Sequence, residues 1–232
     1  MKLPVLPVPD LARVRGESKD EVISWLLGYY QSPGAPFNYI SGTRSIKASY
    51  KGFRSLEQLM AGCDRERTEI GKSSNREIVK LAAPLAFERN TQVFDLPRRR
   101  FAFGRDYSSS YRIPFFFVED NTVKLYYLQP RKRFGLTFDE FGMVATIYKS
   151  YLLDTEFFGQ KADVEFVDLS IAADTGARGL RNYSLGQLRL WSEERLAERL
   201  TLIAEALDFL NESDLVQPRK RRVQTSQDMP LF

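Results

Sequence analysis

The sequence predicts a mixed α+β fold of α/β type: a helix, a three-strand meander, a helix, a strand and a final helix arranged around a mixed sheet. An N-terminal helical extension precedes this core, and a flexible C-terminal tail follows it. Three observations predict the arrangement. Helix-opening signals recur ahead of apolar stripes of helical period. Strand-forming runs follow one another between residues 99 and 129, the last two separated by a natural hairpin loop. Phe115-Phe116-Phe117-Val118 is apolar on both faces, which suits a central strand covered on each side.

Residues 1–17 carry Pro4, Pro7 and Pro9 and read as an extended arm. Ser18 with Glu21 forms a capping box, and Val22, Ile23, Leu26, Leu27 and Tyr30 continue at helical spacing until Ser32-Pro33-Gly34. Residues 35–50 are aromatic, small and turn-prone, so they read as irregular. A short helix over 55–61 ends at Gly62. Asn75 caps a helix over 75–89 that uses Ile78, Val79, Leu81, Ala82 and Leu85, with Pro84 kinking or shortening it.

Strands are expected at 99–104, 112–118 and 123–129, with Glu119-Asp120-Asn121-Thr122 as the loop between the second and third. Thr137 with Glu140 opens the next helix on Phe141, Val144, Ala145, Tyr148 and Leu152. A strand over 162–171 and a loop at 174–179 follow. Ser192 then caps a long helix with Leu196, Leu200, Ile203, Leu207 and Leu210 at core spacing. The expected divisions are an arm and helical extension over 1–74, the core over 75–213 and a basic tail over 214–232.

Composition narrows the chemistry. The 232 residues are 43% hydrophobic, enough for one sizeable core, and no run approaches the ~20 apolar residues of a membrane span, so a soluble, cytoplasmic protein is expected. There is no histidine, which excludes imidazole-activated serine or cysteine nucleophiles and histidine metal sites. The single cysteine, Cys63, excludes an intrachain disulfide and a multi-cysteine zinc site, and it reads as a partly buried small side chain. Any metal would be held mainly by carboxylate and carbonyl oxygens, which suit magnesium, manganese or calcium better than zinc or copper.

The net charge of +4 is concentrated in three runs: Arg98, Arg99 and Arg100; Arg131, Lys132 and Arg133; and Arg219, Lys220, Arg221 and Arg222. Converging, they would form a phosphate-binding surface; dispersed, they are solvated turns. Gly71-Lys72-Ser73 fails as a phosphate loop, because Glu66 stands where such a loop needs its first glycine, and a capped surface loop is expected instead. Asp163 and Glu165 share a strand face, as an exposed strand edge would explain, whereas Glu165 and Asp168 face opposite sides.

Over residues 75–171 the order of elements resembles the restriction-endonuclease-like core of the PD-(D/E)XK nuclease superfamily. That family's meander carries an acidic residue and then an acidic-x-lysine motif, whose carboxylates hold a divalent ion and whose lysine positions the attacking water. Here the third strand ends Gln129-Pro130-Arg131 with Lys132 beyond, so glutamine stands for the acid and arginine for the lysine. Asp106 precedes the second strand. The resemblance therefore implies candidate catalytic positions at Asp106, Glu119, Asp120, Gln129 and Lys132, with magnesium or manganese if the protein is a nuclease.

The terminal segment 227–232 resembles the clamp-binding peptide of bacterial proteins that dock on the replicative sliding clamp. Gln227 matches the polar anchor, and Met229, Leu231 and Phe232 match the apolar ones. Asp228 stands where leucine is common, and Pro230 fits some variants of the motif. These resemblances lead to a bacterial, DNA-associated accessory protein with a non-catalytic nuclease-like core, recruited through its tail. The alternatives are a divalent-metal nuclease with a noncanonical site and a protein-interaction module without a nucleic-acid role.

Overall fold

The computed structural model describes residues 3–32, 37–171, 176–213 and 215–216. Its fold is mixed α+β. A five-stranded sheet has the order β1 (Gln92–Phe94), β4 (Phe115–Glu119), β5 (Thr122–Gln129), β6 (Ala162–Asp168) and β7 (Arg181–Tyr183). Strand β4 is antiparallel to both β1 and β5, β6 is parallel to β5, and β7 is antiparallel to β6. The parallel step is bridged by α6 (Phe138–Tyr148), one π-helical turn (Lys149–Leu153) and α7 (Asp154–Glu156). A crossover of this kind is what parallel neighbours require.

Alternation along the strands assigns each face its own helical layer. Phe115, Phe117, Tyr126 and Val167 pack with α3 (Ile40–Tyr50), α4 (Leu56–Ala61) and α5 (Glu69–Ala82) through Ile46, Tyr50, Leu59, Ile78 and Val79. Leu125, Tyr127, Val164 and Phe166 face α6 and belong to the larger cluster, which also takes in α1 (Val8–Leu11), α2 (Lys19–Gln31) and α8 (Glu193–Glu212). Residues before 75 thus furnish helices to both faces. Among the described residues no helix is long and apolar enough to cross a membrane.

Local signals account for the helix starts. Both expected capping boxes form, Ser18 with Glu21 and Thr137 with Glu140, and Ser55 and Ser192 each accept from the third backbone N–H of their helix. Asp120 and Asn121, at φ 49° and 57°, make the two-residue turn of the β4–β5 hairpin.

Several expectations are corrected. Residues 40–50 form a helix, because its inward face is built of Gly42, Ser45, Ile46, Ser49 and Tyr50, whose small members let α5 approach. Helix α5 begins at Thr68, which caps it, so Gly71-Lys72-Ser73 lies in its first turns rather than in a loop. Asn75 is buried inside that helix and bridges to α3, accepting from Gly42 N at 2.8 Å and donating to Asn38 O at 2.9 Å. Pro84 converts the helix end to a 3-10 turn, Ala83–Ala86.

The strand expected at 99–104 exists as β2 (Arg100–Phe103), but it pairs with β3 (Tyr107–Ser110) in a separate two-stranded sheet. The three-residue β1 takes the first place in the central meander instead. Strand β6 stops at Asp168, and β7 pairs only with its last three residues, so Asp163 and Glu165 lie on an unpaired stretch of its edge, but Glu165 is buried there rather than exposed. Residues 8–14 of the arm are buried rather than extended over the surface, and Cys63 is fully buried. Trp25 and Trp191 pack against the larger core as expected.

Candidate functional site

The end of β5 leads into a loop, residues 130–137, that is exposed yet tightly held. Gln129 is only 2% exposed, and its Nε2 donates to the Phe134 carbonyl at 3.4 Å. Arg13 Nε donates to the same oxygen at 3.0 Å. Arg131 donates to both carboxylate oxygens of Asp10, at 2.8 and 3.2 Å, and Arg13 Nη1 reaches Asp10 Oδ1 at 2.8 Å. The buried arm therefore acts as a buttress for the loop. Tyr29 donates to Asp10 Oδ2 at 3.3 Å, and its hydroxyl is held above the usual tyrosine range by burial and then by the Asp10 charge.

The far side of the loop rests on β6. A Cβ at Gly135 would fall within 3.0 Å of the Ser170 side chain, so only glycine permits this approach. Asp168, partner of Gln129 in the parallel register, accepts from Arg181 Nη2 at 2.6 Å and from Ser170 N at 2.9 Å. Arg178 fixes the two strand ends from the other layer, donating to Pro130 O at 2.7 Å and Leu169 O at 2.9 Å and pairing with Glu77 at 3.0 Å.

What this scaffold presents to solvent is a cleft of about 500 Å³ bordered by Lys132, Arg133, Phe134, Phe138, Asp168 and Arg181. Lys132 and Arg133 are exposed and make no ion pair among the described residues. Phe134 is 82% exposed at φ 60°, and Phe138 is 51% exposed at the start of α6 with its ring edge on Tyr183. Cations beside displayed aromatic rings can take phosphates and stack bases.

The other carboxylates of interest lie at the opposite end of the sheet. Glu119 pairs with Thr122 across the hairpin, and the eight residues of β5 from Thr122 to Gln129 span about 23 Å. Glu119 accepts from Arg89 Nε and Nη2, both at 2.7 Å, and from Lys124 Nζ at 2.7 Å. Arg89 also donates to Glu165 at 2.8 and 3.0 Å, and Tyr50 donates its hydroxyl to the same carboxylate. The guanidinium lies 5.2 Å from the Tyr50 ring centre and 5.0 Å from that of Phe117.

Hydrogen bonds from Arg89 outweigh the partial burial of Glu119 and, with Lys124, hold its carboxyl at about 2. Burial works against the charge on Arg89, but its bonds to Glu119 and Glu165 prevail and raise it above the usual arginine value. Burial, then Tyr126 and Glu165, raise the Tyr50 hydroxyl. The cluster is a compensated ion network in which both carboxylates already have cationic partners.

The candidates named from sequence are thus divided. Lys132 and Arg133 border the cleft, with the buried Gln129 and the Asp10-paired Arg131 just before them, whereas Glu119 and the exposed hairpin residue Asp120 are at the far end of β5. Asp106 sits in the β2–β3 turn, outside the central sheet, on a hairpin whose Tyr107 donates to Asp208 of α8 at 2.6 Å. Arg98 is exposed, Arg99 pairs with Glu156 at 2.6 Å, and Arg100 opens β2. Arg219, Lys220, Arg221, Arg222, Gln227, Met229, Leu231 and Phe232 lie outside the described residues. No three metal-ligating side chains cluster among the described residues.

Sequence reasoning alone passed over Asp10, Arg13, Phe134, Phe138, Arg181 and the Arg89 network. One signal was available: Phe134 and Gly135 directly follow the basic run, putting an aromatic beside cations at a turn. Scans against protein-family models, curated proteins and solved structures find no match to the chain.

Proposed function

We propose that the protein is a DNA-associated accessory protein whose nuclease-like core binds phosphates without cleaving them, and which its C-terminal tail recruits to a partner. The observation that carries this reading is the state of the residues at the end of β5. Gln129 is buried against a loop carbonyl and Arg131 is neutralised by Asp10, while Lys132 and Arg133 face solvent at the cleft.

The order of elements supports the resemblance to the restriction-endonuclease-like core. Helix α5, the antiparallel neighbours β1, β4 and β5, α6 and a strand parallel to β5 come in the order of that core, with the β2–β3 hairpin inserted between β1 and β4. The chemistry argues against cleavage. A neutral amide is a poor magnesium ligand and supplies no charge to acidify a bound water. Asp168 is taken up by Arg181 and Ser170, and Glu119 by Arg89 and Lys124. Recruitment to a sliding clamp rests on Gln227, Met229, Leu231 and Phe232 in the sequence.

The test is fluorescence anisotropy of labelled single-stranded and duplex DNA across a salt series, with cleavage assayed in parallel in magnesium and in manganese. Affinity should fall steeply with salt. K132A/R133A should flatten the logarithmic dependence by about 1.4 units for single-stranded and about 1.8 for duplex DNA, the values for two phosphate contacts. No binding to either DNA at low salt would reject the reading. Metal-dependent cleavage that is lost in Asp106→Ala or Lys132→Ala would replace it with the nuclease.

A further inference from the structure

The geometry points to a preference for single-stranded DNA, with Phe134 as a base-stacking platform and Phe138 as its companion across the cleft. This rests on the reading of the loop as a phosphate-binding surface and specifies which form of DNA it takes.

The argument begins with Phe134. A bulky residue at positive φ is strained, and glycine would occupy that position without penalty. Its carbonyl is nevertheless pinned from two sides, by Arg13 and by Gln129, while its ring remains 82% exposed. Packing does not explain the ring, since it faces water. Nor does the loop's course, which glycine would follow more easily. A displayed apolar face on a held backbone is what stacking requires, because little conformational freedom remains to be lost on binding.

The surroundings select the occupant. Lys132 and Arg133 precede the ring and have no ion-pair partner among the described residues, while Arg181 and Asp168, which border the same cleft, offset one another, so the excess charge is positive and a polyanion is favoured. Phe138, half exposed with its edge on Tyr183, offers a second aromatic surface. In a duplex the base faces are covered by their neighbours, and a ring projecting from a loop meets only phosphates, sugars and groove edges. In a single strand the faces are available, and stacking on aromatic side chains is tolerant of sequence.

Phe134→Gly separates this role from a structural one, because it removes the ring and relieves the positive φ. The thermal midpoint should stay constant or rise while affinity for oligo(dT) falls about 10-fold. Affinity for a duplex of the same length should stay within about 2-fold, since Lys132 and Arg133 still meet its phosphates. Phe138→Ala should weaken oligo(dT) binding in the same selective way. Equal losses for both DNA forms, or unchanged oligo(dT) binding in Phe134→Gly, would overturn the stacking role and leave phosphate binding standing. Failure of the wild-type protein to bind either probe would remove both.

Discussion

Replacing Arg89 with methionine isolates the ion network at the hairpin end of the sheet. Methionine keeps an apolar stem over Tyr50 and Phe117 but removes the cation shared by Glu119 and Glu165. Displacement of the Glu119 carboxyl from 4.5 to about 2 is worth about 3 kcal/mol at ~1.4 kcal/mol per unit. Lys124 supplies part of that, and the loss of the Glu165 pair adds to the cost. Breaking a buried pair by removing one partner costs about 3 to 5 kcal/mol.

A loss of about 3 to 5 kcal/mol is therefore expected at neutral pH, measured by urea denaturation followed by circular dichroism. Because the folded carboxyl titrates below its ordinary value, its stabilisation is complete above pH 4.5 and fades as pH falls through about 2. The gap between wild type and R89M should narrow over that interval. A neutral-pH loss below about 1 kcal/mol, or a gap that does not change with pH, would refute the account of Glu119.

Two further outcomes are expected. Leu231→Ala with Phe232→Ala should leave the fold unchanged and abolish capture of a sliding clamp, since two apolar anchors worth roughly 1.5 to 3 kcal/mol each are lost; calorimetry with the wild-type terminal peptide must first detect binding, or the recruitment idea fails. Gly142→Ala should lower the thermal midpoint despite alanine's helix propensity, because the added Cβ would lie within 3.0 Å of the Arg189 carbonyl oxygen. Overpacking of this kind costs roughly 1 to 3 kcal/mol, and a rise in the midpoint would show that the α6 contact gives way.

The starts of α2, α4, α6 and α8 were legible because a cap is a local device: Ser18, Ser55, Thr137 and Ser192 each satisfy a backbone donor three residues on, whereas the Thr68 cap of α5 was missed. Strands β4 and β5 were legible from their apolar content and the turn between them. Helix α3 was hidden because its inward face uses glycine and serine, which carry no hydrophobic period. Strand β1 has only three residues, and β3 is mostly serine, so neither stands out by strand propensity.

The candidate site was half legible for a related reason. The basic run at Arg131, Lys132 and Arg133 is contiguous in sequence. Its buttress is not, since Asp10 and Arg13 come from more than a hundred residues away. Arg89, Glu119 and Glu165 likewise come from a loop and two different strands, and only the folded sheet brings them together.

The buried arm also has a consequence for folding during synthesis. Leu3 N donates to Asn211 at 2.6 Å, and Arg199 donates to the carbonyls of Val14 and Gly16, so the arm is closed by α8, which lies far along the chain from it. While the chain is still emerging from the ribosome, the apolar side chains of Leu6, Val8 and Leu11 must wait for α6 and α8 to complete their cluster, although α3, α4 and α5 can already associate. Contacts of such long sequence separation form slowly. The nascent arm is thus the segment for which a holdase would have most to protect.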